Sequence, residues 1–359
     1  EVVEQTPGTD ASIDNGKDTI VINGGDGIAG TVAAGDSGGV DVQTTVQPGE
    51  NYNISIMLDL SGSMKYNRET GEGNTNSTDP AGSRMEMAVD ALESFFQNSI
   101  QGHDGTVNIQ LVGFGTSLWT GSDTLQITAD MTPEQRQAEY DKFAKILENW
   151  QHEMFTENGE GWDWVYGQWT YSQGTNYEAA MEKATEWFST STAQGGVAGN
   201  GGENLAFFIS DGQPTYYNGT DWWGNPAIGG TGSSSNQETV KETLEAAQNL
   251  QNAGGGVKVN AIGIGTSLNE NAQTILDLID NTGGSGQTVT NYPYQTSNNA
   301  WKNATWSGDQ PLVEGDSDLV NTTDGLTAAL VGGSEITSTE LADTGKDSIT
   351  AEDSTSSVI

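Results

Sequence analysis

The sequence predicts an α/β fold, a doubly wound and mostly parallel sheet with helices on both faces. Apolar runs at residues 54–58, 107–114, 205–209 and 257–264 read as strands covered on both sides. Amphipathic helical stretches separate them, the alternation that builds a sheet with crossover helices. The first strand also ends in Asp59-Leu60-Ser61-Gly62-Ser63, one carboxylate and two hydroxyls at i, i+2 and i+4. Open α/β sheets bind ligands at the carboxyl ends of their strands, and right-handed crossovers bring those ends to one rim.

Each element has its own signal. Residues 1–50 form a Gly/Asp-rich β flank, with short strands expected at 19–22 and 40–42 between the turns 24–27 and 35–38. Those turns are either plain turns or calcium loops. Residues 51–332 form the main domain. Its first strand covers 52–60, and the polar stretch 65–83 is an insertion with Gly71, Gly73 and Pro80. Residues 84–100 are a helix, with Met87, Val89, Ala91, Leu92, Phe95 and Phe96 as apolar positions. Strand 107–114 precedes an edge strand at 124–127. Helix 133–150 starts with Thr132 as N-cap and Pro133 in the first helical position.

Residues 151–173 follow no regular pattern and form a second insertion, carrying Trp162, Trp164 and Trp169. Helix 177–188 is preceded by Gly174-Thr175-Asn176. Strand 205–209 releases Asp211 into a Gly-containing turn. A third insertion, 212–235, carries Tyr216, Tyr217, Trp222 and Trp223. Helix 238–253, strand 257–264 and helix 269–279 come next. The last strand is expected at 288–292 and the final helix at 318–330. Residues 333–359 are an acidic linker or the start of degenerate Gly/Asp repeats of the RTX type.

Composition narrows the function. Lys and Arg number 12 against 50 Asp and Glu, a formal net charge of −38. Nucleic acid is not a partner for such a surface, because phosphate binding needs basic side chains. Two readings of the acidity stand: solubility in salt, and carboxylates whose repulsion Ca²⁺ relieves. With no Cys, disulfide and thiol chemistry are absent, and metal is a candidate source of rigidity. No apolar run approaches the roughly 18–20 residues of a membrane span, so direct membrane insertion is not expected. Residue 1 is Glu, and the chain reads as a piece of a longer protein.

The candidate site is an all-oxygen set: Asp59, Ser61 and Ser63 from the first strand end, Thr175 before a helix, and Asp211 from the second strand end. Such donors suit a hard divalent cation and not zinc or copper. His103 and His152 have no metal-ligand spacing and are read as surface or capping residues. No nucleophile elbow and no phosphate loop with Lys occurs, so an enzyme is not expected.

In their order and on their elements, these five residues resemble the metal-ion-dependent adhesion site of von Willebrand factor A domains. The resemblance implies a Rossmann-like fold over residues 51–332, with strand 124–127 antiparallel to its neighbour. It implies Ca²⁺ or Mg²⁺ held by Asp59, Ser61, Ser63, Thr175 and Asp211, with an open position for an outside oxygen. Further structural Ca²⁺ is an added expectation. With the acidic, Cys-free composition and Gly/Asp-rich flanks, it implies a cation-dependent adhesion domain of a large, secreted bacterial RTX-type adhesin displayed at the cell surface. Its partners are a protein or glycan on a host or neighbouring cell, and neighbouring domains of the same chain.

Around the rim, Arg84, Trp162, Trp164, Trp169, Tyr216, Tyr217, Trp222 and Trp223 are candidate ligand-binding residues. The aromatic groups either wall the cation or form small cores that pin their loops. Arg84 either meets an acidic ligand or makes a structural ion pair. Two other readings remain: a calcium-rigidified spacer or self-association module, and an intracellular chelatase-type subunit. The missing ATPase segment and the acidity oppose the second.

Overall fold

The computed structural model describes residues 50–73, 78–119, 124–156, 174–265 and 268–333, and the backbone alone at 19–23, 29–33, 160–163, 168–171 and Ser334. One sheet of six strands organises the domain. Its strands are β1 (Tyr52–Asp59), β2 (Val107–Phe114), β3 (Thr124–Ile127), β4 (Glu203–Ser210), β5 (Lys258–Ile264) and β6 (Asp318–Val320). The spatial order is β6-β5-β4-β1-β2-β3. All neighbours are parallel except β2 and β3, which pair antiparallel. The predicted fold class and the antiparallel edge are both present.

Alternation along the strands divides the core in two. Ile54, Ile56 and Leu58 of β1 face one way and join Leu205, Phe207 and Ile209 of β4. Helices α1 (Arg84–Phe95), α2 (Pro133–Phe155) and α6 (Thr323–Ser334) cover that face. Met57, Val112, Ala206 and Phe208 face the other way, under α3 (Tyr177–Ser189), α4 (Gln237–Gln251) and α5 (Glu270–Ile279). Helix starts follow the capping chemistry of the sequence. Thr132 and Gln135 form a reciprocal capping box with Pro133 in the first turn, and Ser83, Asn176, Asn236 and Asn269 cap other starts. No described helix is long and apolar enough to cross a membrane.

The structure corrects several sequence boundaries. Helix α2 runs on to Phe155, because Met154 and Phe155 are still buried against the core. The stretch 212–235 is not one long loop. It folds back as a hairpin, Tyr216–Thr220 against Pro226–Gly230. The expected last strand at 288–292 does not enter the main sheet. Thr288–Val289 pairs with Leu312–Val313, and Asn291–Gln295 pairs with Trp301–Thr305. Tyr292 is buried there edge-on to Trp306, so the apolar alternation served a local ribbon. The sixth sheet strand is instead Asp318–Val320, where the final helix was expected to begin. Three residues with Asp318 and Leu319 exposed carry too little pattern to read as a strand. The insertion 151–173 contains an antiparallel pair, Glu160–Asp163 with Gln168–Tyr171. Strand Thr19–Asn23 pairs with Ala29–Ala33. The strand expected at 40–42, the turns 24–27 and 35–38, Trp164 and residues 335–359 lie outside the described residues.

One polar row crosses the sheet at the end opposite Asp59. The register aligns Asn53 with Asn108 and Asn204, and Asn108 with Gln126. Their amides form a ladder. Gln126 Nε2 donates to Asn108 Oδ1 at 2.8 Å, and Asn108 Nδ2 donates to Asn53 Oδ1 at 2.9 Å. Asn53 Nδ2 donates to Asn204 Oδ1 at 2.9 Å and to Asn200 Oδ1 at 2.8 Å. Asn204 Nδ2 ends the row on the carbonyl oxygens of Gly254 and Gly256. Buried amides are expensive to leave unmatched, so this row fixes strand register as well as adding stability. Asn53→Ala removes the central rung and strands its neighbours. Chemical denaturation should show a loss of about 2–4 kcal/mol, two or so unsatisfied groups at the usual cost.

Candidate cation site

Two strand ends and two loops build the rim. After β1, Leu60 N–H donates to Phe114 O at 2.6 Å, and the chain turns through a short 3₁₀ helix, Gly62–Lys65. Leu60 and Met64 are fully buried and anchor that turn from below. It closes with Met64 N–H to Ser61 O at 3.0 Å and Tyr66 N–H to Ser63 O at 2.9 Å. The turn sets the two hydroxyls side by side, with Ser61 Oγ 3.1 Å from Ser63 Oγ. Ser63 Oγ donates to Asp211 Oδ1 at 2.8 Å, across from the end of β4. Four of the five predicted ligands, Asp59, Ser61, Ser63 and Asp211, thus share one cluster at adjacent parallel strand ends.

Thr175, the fifth predicted ligand, is tied to Thr215, four residues beyond Asp211. Its N–H donates to Thr215 Oγ1 at 3.0 Å, and its carbonyl accepts from Thr215 N–H at 2.8 Å and Tyr216 N–H at 3.1 Å. The loop after β2 holds it from the other side. Asn176 N–H donates to Gly115 O at 2.8 Å, and Gly174 N–H to Thr116 Oγ1 at 3.2 Å. The Tyr216 ring lies so close to Gly174 that an added Cβ would fall 2.0 Å from Cε2. Only glycine fits there. The first strand of the 216–230 hairpin therefore fastens the Thr175 loop.

Ser210 and Tyr177 belong to the site and were missed in the sequence. Ser210 Oγ donates to Asp59 Oδ2 at 2.6 Å, while Ser61 N–H donates to Asp59 Oδ1 at 2.7 Å. Tyr177 Oη lies 2.8 Å from Ser210 Oγ and 3.0 Å from Gly212 O, two acceptors for its one proton. The signal for Ser210 was register. Leu58 pairs with Ile209, which puts the next residues, Asp59 and Ser210, level with each other.

The rim candidates divide. Arg84 is buried at 1% exposure and its Nη1 lies 2.5 Å from Asp211 Oδ2. The structural ion pair is the reading the structure shows, and an outside ligand does not meet this side chain. The insertion 65–83 closes through a bridge between Asn67 and Ser83, which returns the chain to Arg84 beside the serine turn. Tyr216 packs on Gly174 and Gly232, and Tyr217 on Gly229, so both tyrosines hold their own hairpin. Trp222 and Trp223 form its tip and are 92% and 82% exposed. Asp221 braces that tip, its Oδ1 accepting from Trp223 N–H at 2.8 Å and Asn225 N–H at 2.9 Å. Trp162 and Trp169 are placed by backbone only, opposite each other in their strand pair. His103 is buried with Nε2 2.7 Å from Glu50 O and edge-on to Tyr52, a packing role. His152 is exposed in the last turn of α2.

Electrostatics favour a cation. Burial, then the charge of Asp211, pushes the Asp59 carboxyl up to about 7. Burial raises Asp211 too, against the opposing pull of Arg84. Burial and Asp59 raise the Tyr177 hydroxyl well above its ordinary value. Two carboxylates are packed away from water, and one guanidinium, that of Arg84, pairs with Asp211. Among the described residues, no group of three or more His, Asp and Glu forms a metal cage. An ion here would meet two formal charges, with hydroxyls supplying the other oxygens. That donor set fits a hard divalent cation.

No protein-family model matches the chain, and no curated protein matches it. Solved structures similar to it include the pilus adhesin SpaC from Lactobacillus rhamnosus GG, at 16% identity and TM-score 0.45, covering 81% of this chain and 31% of that one. The PilB minor pilin from Streptococcus sanguinis is similar at 16% identity and TM-score 0.48, covering 82% of this chain and 63% of that one. A von Willebrand factor type A protein from Catenulispora acidiphila has 19% identity and TM-score 0.34, covering 66% of this chain and 38% of that one. The chain spans less than two thirds of each of these structures. At such identities and scores the likenesses decide nothing about function.

The raised carboxyl sets a pH dependence. Between its ordinary 3.8 and about 7, Asp59 holds its proton in the folded chain and loses it in the unfolded one. Stability in chelator therefore falls as pH rises through that window. Glu178, pushed up to about 7 by burial and by Glu182, Glu242 and Glu245, adds in the same direction. Denaturant melts in chelator across this window should show the decline. Asp59→Asn should make it shallower, leaving the share of Glu178, and saturating Mg²⁺ or Ca²⁺ should do the same in the unaltered chain.

Proposed function

We propose that this chain is a cation-dependent ligand-binding domain of the von Willebrand factor A type, from a secreted bacterial surface adhesin. The observation that carries the reading is the hydrogen-bonded chain Ser61–Ser63–Asp211, beside Asp59, on one rim of a parallel sheet. Asp59, Ser61, Ser63, Thr175 and Asp211 would hold Ca²⁺ or Mg²⁺. A bound ion supplies an electrophilic position for a carboxylate or hydroxyl oxygen of the ligand.

The chain's own residues prepare that position. Ser61 N–H and Ser210 Oγ–H hold the Asp59 carboxylate from both sides and fix its plane. Asp211 accepts the Ser63 proton, which leaves the lone pairs of Ser63 directed away from Asp211. Few formal charges keep the ion attractive to an outside anion. The exposed Trp222–Trp223 tip then offers flat apolar faces to a sugar ring or peptide side chain. The partner is a surface protein or glycan, and the function is binding rather than catalysis.

A glycan and peptide array in millimolar Ca²⁺ plus Mg²⁺ tests this, repeated in chelator and with Asp59→Ala. Binding should vanish in both controls. Binding that survives Asp59→Ala would remove the cation site from the function. No binding, with a melting temperature that chelator lowers, would make the domain a cation-rigidified spacer. The double substitution Trp222→Ala, Trp223→Ala should leave the melting temperature unchanged, since both rings stand in solvent. It should weaken binding by at least about tenfold in surface plasmon resonance, as expected for central aromatic contacts.

A further inference from the structure

Arg84 is the one buried cation in contact with the site carboxylates among the described salt bridges. Its backbone N–H is tied to Tyr66 O at 3.0 Å, and its guanidinium lies 5.8 Å from the Tyr66 ring centroid. On the far side it runs along the end of β5. A Cβ added at Gly265 would fall 2.8 Å from Arg84 Nε, and Gly265 has φ +92°, so glycine alone leaves room for the arginine. Gly265 is fixed in turn by its N–H to Val320 O at 2.7 Å. The side chain is therefore clamped between the 65–83 insertion and the β5 end, with its Nη1 aimed at Asp211 Oδ2.

Both oxygens of Asp211 then have assigned partners, Oδ2 with Arg84 and Oδ1 with Ser63. The pair also cancels one of the two formal charges at the rim. We propose that Arg84 is a positioning residue for the cation site, holding Asp211 by Oδ2 so that its Oδ1 orients Ser63, and offsetting part of the Asp211 charge, which weakens cation binding while leaving the ion hungry for an external anion. This rests on the cation reading above. It adds the residue that tunes that site and predicts that its loss tightens the ion.

Calorimetric titration of Mg²⁺ and Mn²⁺ tests it, on the unaltered domain, Arg84→Met and Arg84→Lys, with melts in chelator. Arg84→Met should melt lower in chelator, because two buried carboxylates lose their counter-charge, and should bind Mn²⁺ at least about tenfold more tightly, since the full Asp211 charge now acts on the ion. Arg84→Lys keeps the charge and should return the affinity most of the way to that of the unaltered domain. A folded Arg84→Met with equal or weaker cation affinity would overturn the proposal and leave a merely structural ion pair. If Arg84→Met does not fold, nitrogen NMR of the Arg84 guanidinium in the unaltered domain decides. Its protected Nη–H signal should persist when Mg²⁺ is added, and its disappearance on Mg²⁺ binding would overturn the proposal. An unaltered domain that binds neither ion would overturn the cation reading itself, a result distinct from binding that ignores Arg84.

Discussion

Two carboxylates withdrawn from water at neighbouring strand ends are the constraint around which this domain is arranged. Asp59 and Asp211 are almost completely buried, and in a low-dielectric interior like charges must be separated, neutralised or matched. The fold does all three in part. Asp59 is held by a backbone N–H and the Ser210 hydroxyl, and Asp211 by Ser63 and Arg84. The remaining imbalance shows in the raised Asp59 carboxyl. A structure that needed only stability would have placed apolar residues here. This one keeps the strain at the rim and spends the rest of the sheet on dense apolar packing.

That packing explains how the rim is held still. β1 is one of the two middle strands, paired along its length with β2 and β4 and buried on both faces. Position at its carboxyl end is therefore determined by two parallel ladders, with Leu60 and Met64 pinning the turn beyond. The Thr175 loop has no such strand beneath it. It takes its position from the loop after β2 and from the 216–230 hairpin, so an insertion has become part of the support of the site.

The four long sheet strands were legible because burial on both faces leaves an unbroken apolar run, and α2 because Thr132-Pro133 announces its start. Asp59 and Asp211 were legible because polar residues terminate apolar runs. What escaped was everything whose meaning depends on register or on distant chain. Ser210 looks like an ordinary serine until β1 and β4 are aligned. Tyr177 reads only as the first residue of a helix. Arg84, following a capping serine, looks solvated until the 65–83 insertion folds back over it. The hairpin escaped because Gly-rich strands such as 226–230 carry almost no apolar alternation, and β6 because three residues are too few for a pattern.

The amide ladder marks the place where the described core is tethered. β1 enters the sheet at Tyr52, beside Asn53, whereas the end of α6 lies over the middle of the sheet, where Asn260 Nδ2 donates to Gly333 O at 3.4 Å and Asn260 is level with Phe207 and Ile56. A pull on the chain at Tyr52 therefore meets the ladder first. Tension delivered at the rim runs the whole length of β1 and must shear two parallel ladders at once, the loading direction in which a sheet yields least readily.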